Sequence, residues 1–208
     1  MKKLRWVDST TEVPIHAPKG MCILDGLLYF ADNSRLNRCP IDGAAKVTEV
    51  VVPGANIIFS DLATDGARIY VSGSNKVFCI EPKGGNHLVA ELEGIDGVAC
   101  YKDKVFAVSW RLHEIYELDP AGKKTPQPFG LASHFTNLDG IEVLDDGTFI
   151  VSDFTGNKVC TVAPDRKTVR TLLSVESPAD IGLDRQRGLL YVPMLMKNEA
   201  RIYKLSRE

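Results

Sequence analysis

The sequence predicts an all-β fold, a five-bladed β-propeller, on three observations. An apolar triplet, a turn and a longer alternating strand are written five times along the 208 residues. Tight-turn dipeptides join many of the strands, and helical periodicity is absent.

The first halves of the repeat read "KGMCILDGLLYFAD", "SDLATDGARIYVSG", "DGVACYKDKVFAVSW", "DGIEVLDDGTFIVSD" and "ADIGLDRQRGLLYVPM". Each pairs a short strand with a longer one. Asp25-Gly26, Asp65-Gly66 and Asp146-Gly147 are the connecting turns in blades one, two and four, and these residues accept the positive φ of a tight hairpin. The second halves read "RLNRCPIDG", "KVFCIEPKGG", "EIYELDPAGK", "KVCTVAPDRK" and "RIYKLSRE". Pro or Gly closes four of them, where the chain must turn again. Blade starts near Met21, Leu62, Val98, Ile141 and Ile181 are 41, 36, 43 and 40 residues apart, close to the roughly 40–45 of a four-stranded blade.

Only 28 residues run from Ile181 to Glu208, too few for four strands. The strand-like "KLRWVDS" near the N-terminus belongs to no repeat, so residues 4–9 are expected to close the last blade and leave no open edge. Residues 1–208 then form one propeller domain. The alternative is an incomplete six-bladed ring. A sealed ring implies a monomer, and an unsealed one a weak homo-oligomer.

The 25 basic and 27 acidic residues nearly cancel, and no basic block follows a phosphate backbone, so nucleic acid is not an expected partner. No apolar run approaches the roughly 18 residues that span a bilayer, and "MKKLRWVDST" turns polar after Leu4. The chain as written is expected to be soluble and cytoplasmic, with export open to a longer precursor. Cys22, Cys39, Cys79, Cys100 and Cys160 are odd in number and lack a C-x-x-C spacing; they read as reduced core residues. No G-x-S-x-G elbow, P-loop, dinucleotide fingerprint or H-E-x-x-H helix is present.

In such a blade the loop before the first strand and the loop after the second share one face. The residue pairs before the apolar triplets are Lys19-Gly20, Ser60-Asp61, Asp96-Gly97, Asp139-Gly140 and Ala179-Asp180, so acidic groups converge on the channel mouth from four blades. The second-strand ends add Asp32, Ser72, Trp110 and Asp153, with Arg111 and His113 just beyond. Carboxylates crowded together raise one another's pKa or recruit a hard divalent cation such as calcium or magnesium. The same aspartates also suit a structural role, accepting backbone N–H bonds that knit the blades together. Glu142 either enters the channel or lies beside solvent.

"NLDGIEVLDDGTFIVSDFTGNKVCTVAPD", with "APKGMCILDGLLYFAD" and "ADIGLDRQRGLLYVPM", resembles the senescence-marker-protein/gluconolactonase family from about Ala17 onward. The resemblance implies a six-bladed lactone hydrolase with one divalent ion (calcium, magnesium or zinc) in the channel mouth. Matched by position, Asp139 takes the place of the general base and metal ligand, Asp96 that of a ligand Asn, and Ser60 that of a substrate-binding Asn. The family's first-blade Glu has no counterpart, so Asp61 and Asp180 become the further candidate ligands. Lys19 brings an ammonium to the same mouth and is an electrostatic substitute for the ion. The expected activity is metal-dependent hydrolysis of a small lactone or ester, with Lys19, Ser60, Trp110, Arg111, His113 and Asp153 around a small-molecule ligand. The competing expectation is a catalytically silent propeller whose loops bind a ligand or a protein.

Overall fold

The computed structural model describes residues 15–42, 47–52 and 57–205. They form five antiparallel sheets, in order along the chain, arranged as the blades of a β-propeller. Blade one holds β1 (Pro18–Leu24), β2 (Leu27–Asp32), β3 (Arg35–Pro40) and β4 (Thr48–Val50). Blade two holds β5 (Phe59–Thr64), β6 (Ile69–Gly73), β7 (Lys76–Ile80) and β8 (Asn86–Glu91). Blade three holds β9 (Ile95–Tyr101), β10 (Lys104–Ser109), β11 (Glu114–Leu118) and β12 (Gln127–Pro128). Blade four holds β13 (Leu138–Val143), β14 (Phe149–Asp153), β15 (Lys158–Val162) and β16 (Val169–Ser174), and blade five holds β17 (Gly182–Asp184), β18 (Leu189–Met194) and β19 (Glu199–Lys204). Among the described residues no helix is long and apolar enough to cross a membrane.

Alternation along the strands gives each blade two apolar faces, and neighbouring blades bury them against each other. Leu24, Tyr29 and Leu36 pack with Phe59, Ile69 and Phe78 between blades one and two. Tyr70, Val77 and Val89 meet Val98, Val105 and Leu118 between two and three. Phe106, Val108 and Ile115 meet Leu138, Ile141 and Phe149 between three and four, where the Phe106 and Phe149 rings stand edge to face at 4.9 Å. Ile150 and Val159 meet Leu190, Val192 and Met194 between four and five. On the other face of blade one, Phe30, Cys39 and Val47 cluster with Ile15 and Leu28, and no described residue of blade five joins them.

The Asp-Gly turns form as the sequence predicts: Asp25 and Gly26 have φ of 52° and 74°, and Gly66 and Gly147 lie near 90°. Blade five has three strands among the described residues, and β19 is as exposed as the outermost strand β16. Residues 4–9, expected to supply its fourth strand, lie outside the described residues.

One irregularity recurs in the innermost strands and sets up the channel. In blade one, Pro18 pairs with Asp32 and Met21 with Phe30, so Lys19 and Gly20 together face the single residue Ala31. Ser60 and Asp61 likewise face Ser72, Asp96 and Gly97 face Val108, and Asp139 and Gly140 face Ser152. Each is a β-bulge, which bends the strand and re-aims its side chains. In blade five, the extra residue falls between the Pro178–Met194 bridge and the Gly182–Tyr191 pair.

The second bulge position is glycine in blades one, three and four because the next blade presses on it. A Cβ on Gly20 would lie 2.5 Å from the Asp61 Cα, and one on Gly97 would lie 2.5 Å from the Asp139 carbonyl oxygen. A Cβ on Gly140 would lie 2.6 Å from the Ile181 nitrogen.

Candidate functional site

The bulges deliver Lys19, Ser60, Asp61, Asp96, Asp139 and Asp180 to one cavity of about 850 Å³, lined by all five blades. This is the convergence expected of the residues before each apolar triplet. Glu142 and Arg185 also line it, joined at 3.2 Å, which resolves the position of Glu142 in favour of the channel.

The carboxyl groups differ in what holds them. Asp61 is buried; one oxygen accepts the Leu62 amide at 2.6 Å and the other the Val98 amide at 2.8 Å. Burial pushes its pKa up to about 7 despite those two bonds, which favour the charged form. Asp180 shares a hydrogen bond with Asp61, and burial together with the Asp61 charge holds it well above the ordinary carboxylate range. Two carboxyl groups in hydrogen-bond contact must share a proton. Asp96 is raised to about 6 by burial, offset by the Lys19 ammonium and a hydrogen bond with Ser60. Asp139 is raised to about 8 by burial and by the charges of Asp96 and Asp180, with Lys19 opposing. Its carboxyl group carries no hydrogen bond among the described residues, which leaves its lone pairs for a ligand. Glu142 is raised to about 7 by burial, with Arg185 opposing.

Among the described residues no group of three or more His, Cys, Asp or Glu side chains is placed to hold a metal ion. The reason is visible in the contacts. Both Asp61 oxygens are taken by backbone amides, Asp180 is turned to Asp61, and a lysine ammonium faces Asp96 and Asp139. As they stand, Asp61, Asp96, Asp139 and Asp180 do not fit the divalent ion that the family resemblance implies.

Four residues expected around the ligand lie off the cavity, which corrects that expectation. Asp153 is fully buried and accepts the amides of Thr136 and Asn137, clasping the loop that enters β13, and that of Gly156 in the turn after β14. Asp32 does the same for His16 and Ala17 at the start of β1. Trp110 packs on Phe154 with ring centres 5.2 Å apart, and its carbonyl accepts the Asn137 side-chain amide. Arg111 pairs with Glu93 at 3.4 Å on the exposed surface, and His113 occupies a left-handed turn at φ 57°. A strand-end polar residue therefore anchors the incoming loop, whereas a bulge residue reaches the channel.

Arg185 escaped the sequence reading, and so did two cysteines of the cavity. Cys22 and Cys100 line the wall, as thiols kept protonated by burial, Cys22 at about 12. Their apolar strand context signals core and gives no sign of the channel. All five cysteines are free.

No family model matches this sequence, and no curated protein matches it. Solved structures do share its fold. Against a catalytically inactive H270A virginiamycin B lyase from Staphylococcus aureus with quinupristin, the TM-score is 0.66 at 14% identity, covering 89% of this chain and 69% of that one. Against a nidogen/laminin complex it is 0.70 at 12% identity, covering 90% and 80%. Against a streptogramin B lyase it is 0.60 at 15% identity, covering 95% and 86%. Identities this low establish the propeller scaffold and leave the chemistry to the site.

Proposed function

We propose that the channel mouth is an acid–base centre for a small ligand, and that the reaction it serves is hydrolysis of a small lactone or ester. The observation that carries this reading is Asp139. A bulge aims it at a ligand-sized cavity, no hydrogen bond occupies it among the described residues, and its surroundings bring its pKa to about 8. A base poised near the working pH is the most effective one.

In the reaction, the Asp139 carboxylate takes a proton from water while the water oxygen bonds to the ligand carbonyl carbon. The Lys19 ammonium, which faces Asp139 and Asp96, stabilises the developing oxyanion. The ring or ester C–O bond then breaks, and the proton held on Asp139 passes to the departing oxygen, leaving an acid and a hydroxyl group. Lys19 thereby supplies the positive charge that an ion gives in the family this sequence resembles.

A second reading, a silent binding scaffold, is favoured by the commitment of Asp61 to two backbone amides. Turnover separates the two. A panel of five- and six-membered lactones and simple aryl esters is assayed with the wild type and Asp139→Asn, in chelator and with added calcium, magnesium or zinc. The hydrolase reading expects turnover in chelator that Asp139→Asn abolishes. No turnover with any ion, alongside saturable binding of the same compounds, supports the scaffold.

A further inference from the structure

The hydroxyl of Ser72 has partners in two blades. Its Oγ accepts the Asp61 amide at 3.0 Å and donates to the Asp96 backbone carbonyl. Ser72 is fully buried on β6 and stands opposite the bulge of Ser60 and Asp61. A bulge leaves an N–H without its ladder partner, and a buried unpaired N–H is destabilising. Ser72 fills that need.

In blade four Ser152 likewise accepts the Gly140 amide, at 2.8 Å. Blades one and three place Ala31 and Val108 there, with no hydroxyl to offer. Ser72 differs in spending its own hydrogen on the next blade. The Asp61 carboxylate then crosses the same boundary to the Val98 amide. Two bonds, made two residues apart on β9, bracket Gly97 and fix β5 against β9.

We propose that Ser72 is a positioning residue of the channel mouth, locking the two bulges that carry Asp61 and Asp96 into a single spacing. It touches no ligand and acts through those two strands. The kinetic part of its test rests on the proposed hydrolysis, and the exchange part does not.

The experiment compares Ser72→Ala, Ser72→Thr and Ser109→Ala in the full chain. Ser109 is a buried serine of blade three that bonds the Glu93 carbonyl and the Leu112 amide, so it reports the cost of losing a buried hydroxyl elsewhere. Amide hydrogen exchange at Val98 is the primary readout, because Val98 has no bond to Ser72. In Ser72→Ala it is expected to quicken by roughly tenfold or more. Ser72→Thr restores it, and Ser109→Ala leaves it unchanged. With a hydrolysed lactone, Ser72→Ala lowers kcat and changes KM little. Val98 exchange at the wild-type rate in Ser72→Ala, or a loss that Ser72→Thr does not restore, overturns the proposal. Should Ser72→Ala fail to fold, Ser72→Cys gives the same comparison through a weaker donor and acceptor. If exchange responds while no lactone is turned over, the hydrolase reading fails and the role of Ser72 stands.

Discussion

The Asp61 carboxylate accepts the Val98 amide at 2.8 Å, joining the innermost strands of blades two and three. Asp61 occupies the bulge position that is glycine in three other blades, and it uses its side chain as a staple between them. Asp61→Ala removes the side-chain acceptor of two buried amides, those of Leu62 and Val98. It is expected to cost about 1–3 kcal/mol, read as a lower denaturation midpoint with an unchanged m-value.

Gly20 is the counterpart of that staple on the opposite side. Alanine there drives a Cβ to 2.5 Å from the Asp61 Cα, a backbone atom that cannot swing aside. Gly20→Ala is expected to destabilise by about 1–3 kcal/mol or more. Gly26→Ala is the control. Its added Cβ meets nothing within 4 Å, so only the strain of φ +74° remains, about 1 kcal/mol. Thermal melts of the two variants should rank in that order.

The channel carboxyls make stability fall as pH rises. Asp61, Asp96, Asp139, Glu142 and Asp180 all bind protons more tightly folded than free. Their contribution is complete below the unfolded value near 4 and is lost as pH climbs through folded values of about 6 to 8. Asp65, lowered despite partial burial by the Ala67 and Arg68 amides and then the Arg68 side chain, and Glu117, lowered by Lys104 and Arg166, act oppositely and only on acidification. Melting temperature should therefore decline from pH 5 to pH 8.5. Asp139→Asn should flatten that decline and melt higher than the wild type at pH 8.5. A wild-type melting temperature that rises across this interval would contradict the buried-acid description.

The fold was legible because its signals are local. Asp25-Gly26 and Asp146-Gly147 announce hairpins, and the alternation of "LLYFAD" or "TFIVSD" announces two-faced strands. The converging set Lys19, Ser60, Asp96 and Asp139 followed from the repeat, since equivalent positions share a place around the axis. The bulges were hidden, because one extra residue leaves no mark on hydrophobic periodicity. Asp153 and Asp139 illustrate the consequence. Both end or begin a strand at the same face, yet a bulge turns Asp139 to the cavity while Asp153 closes on three loop amides. The metal expectation came from the crowding of carboxylates and from the family resemblance, and neither carries a sign that Asp61 is occupied by amides contributed from two strands.

The pH profile of lactone or ester hydrolysis in chelator tests the central claim most directly, because kcat/KM reports ionisation of the free protein. An unoccupied Asp139 acting as the base predicts a rate that rises through about pH 8, is insensitive to the chelator and disappears in Asp139→Asn. Hydrolysis that survives in Asp139→Asn, or that shows no inflection between pH 6 and 9, would contradict it.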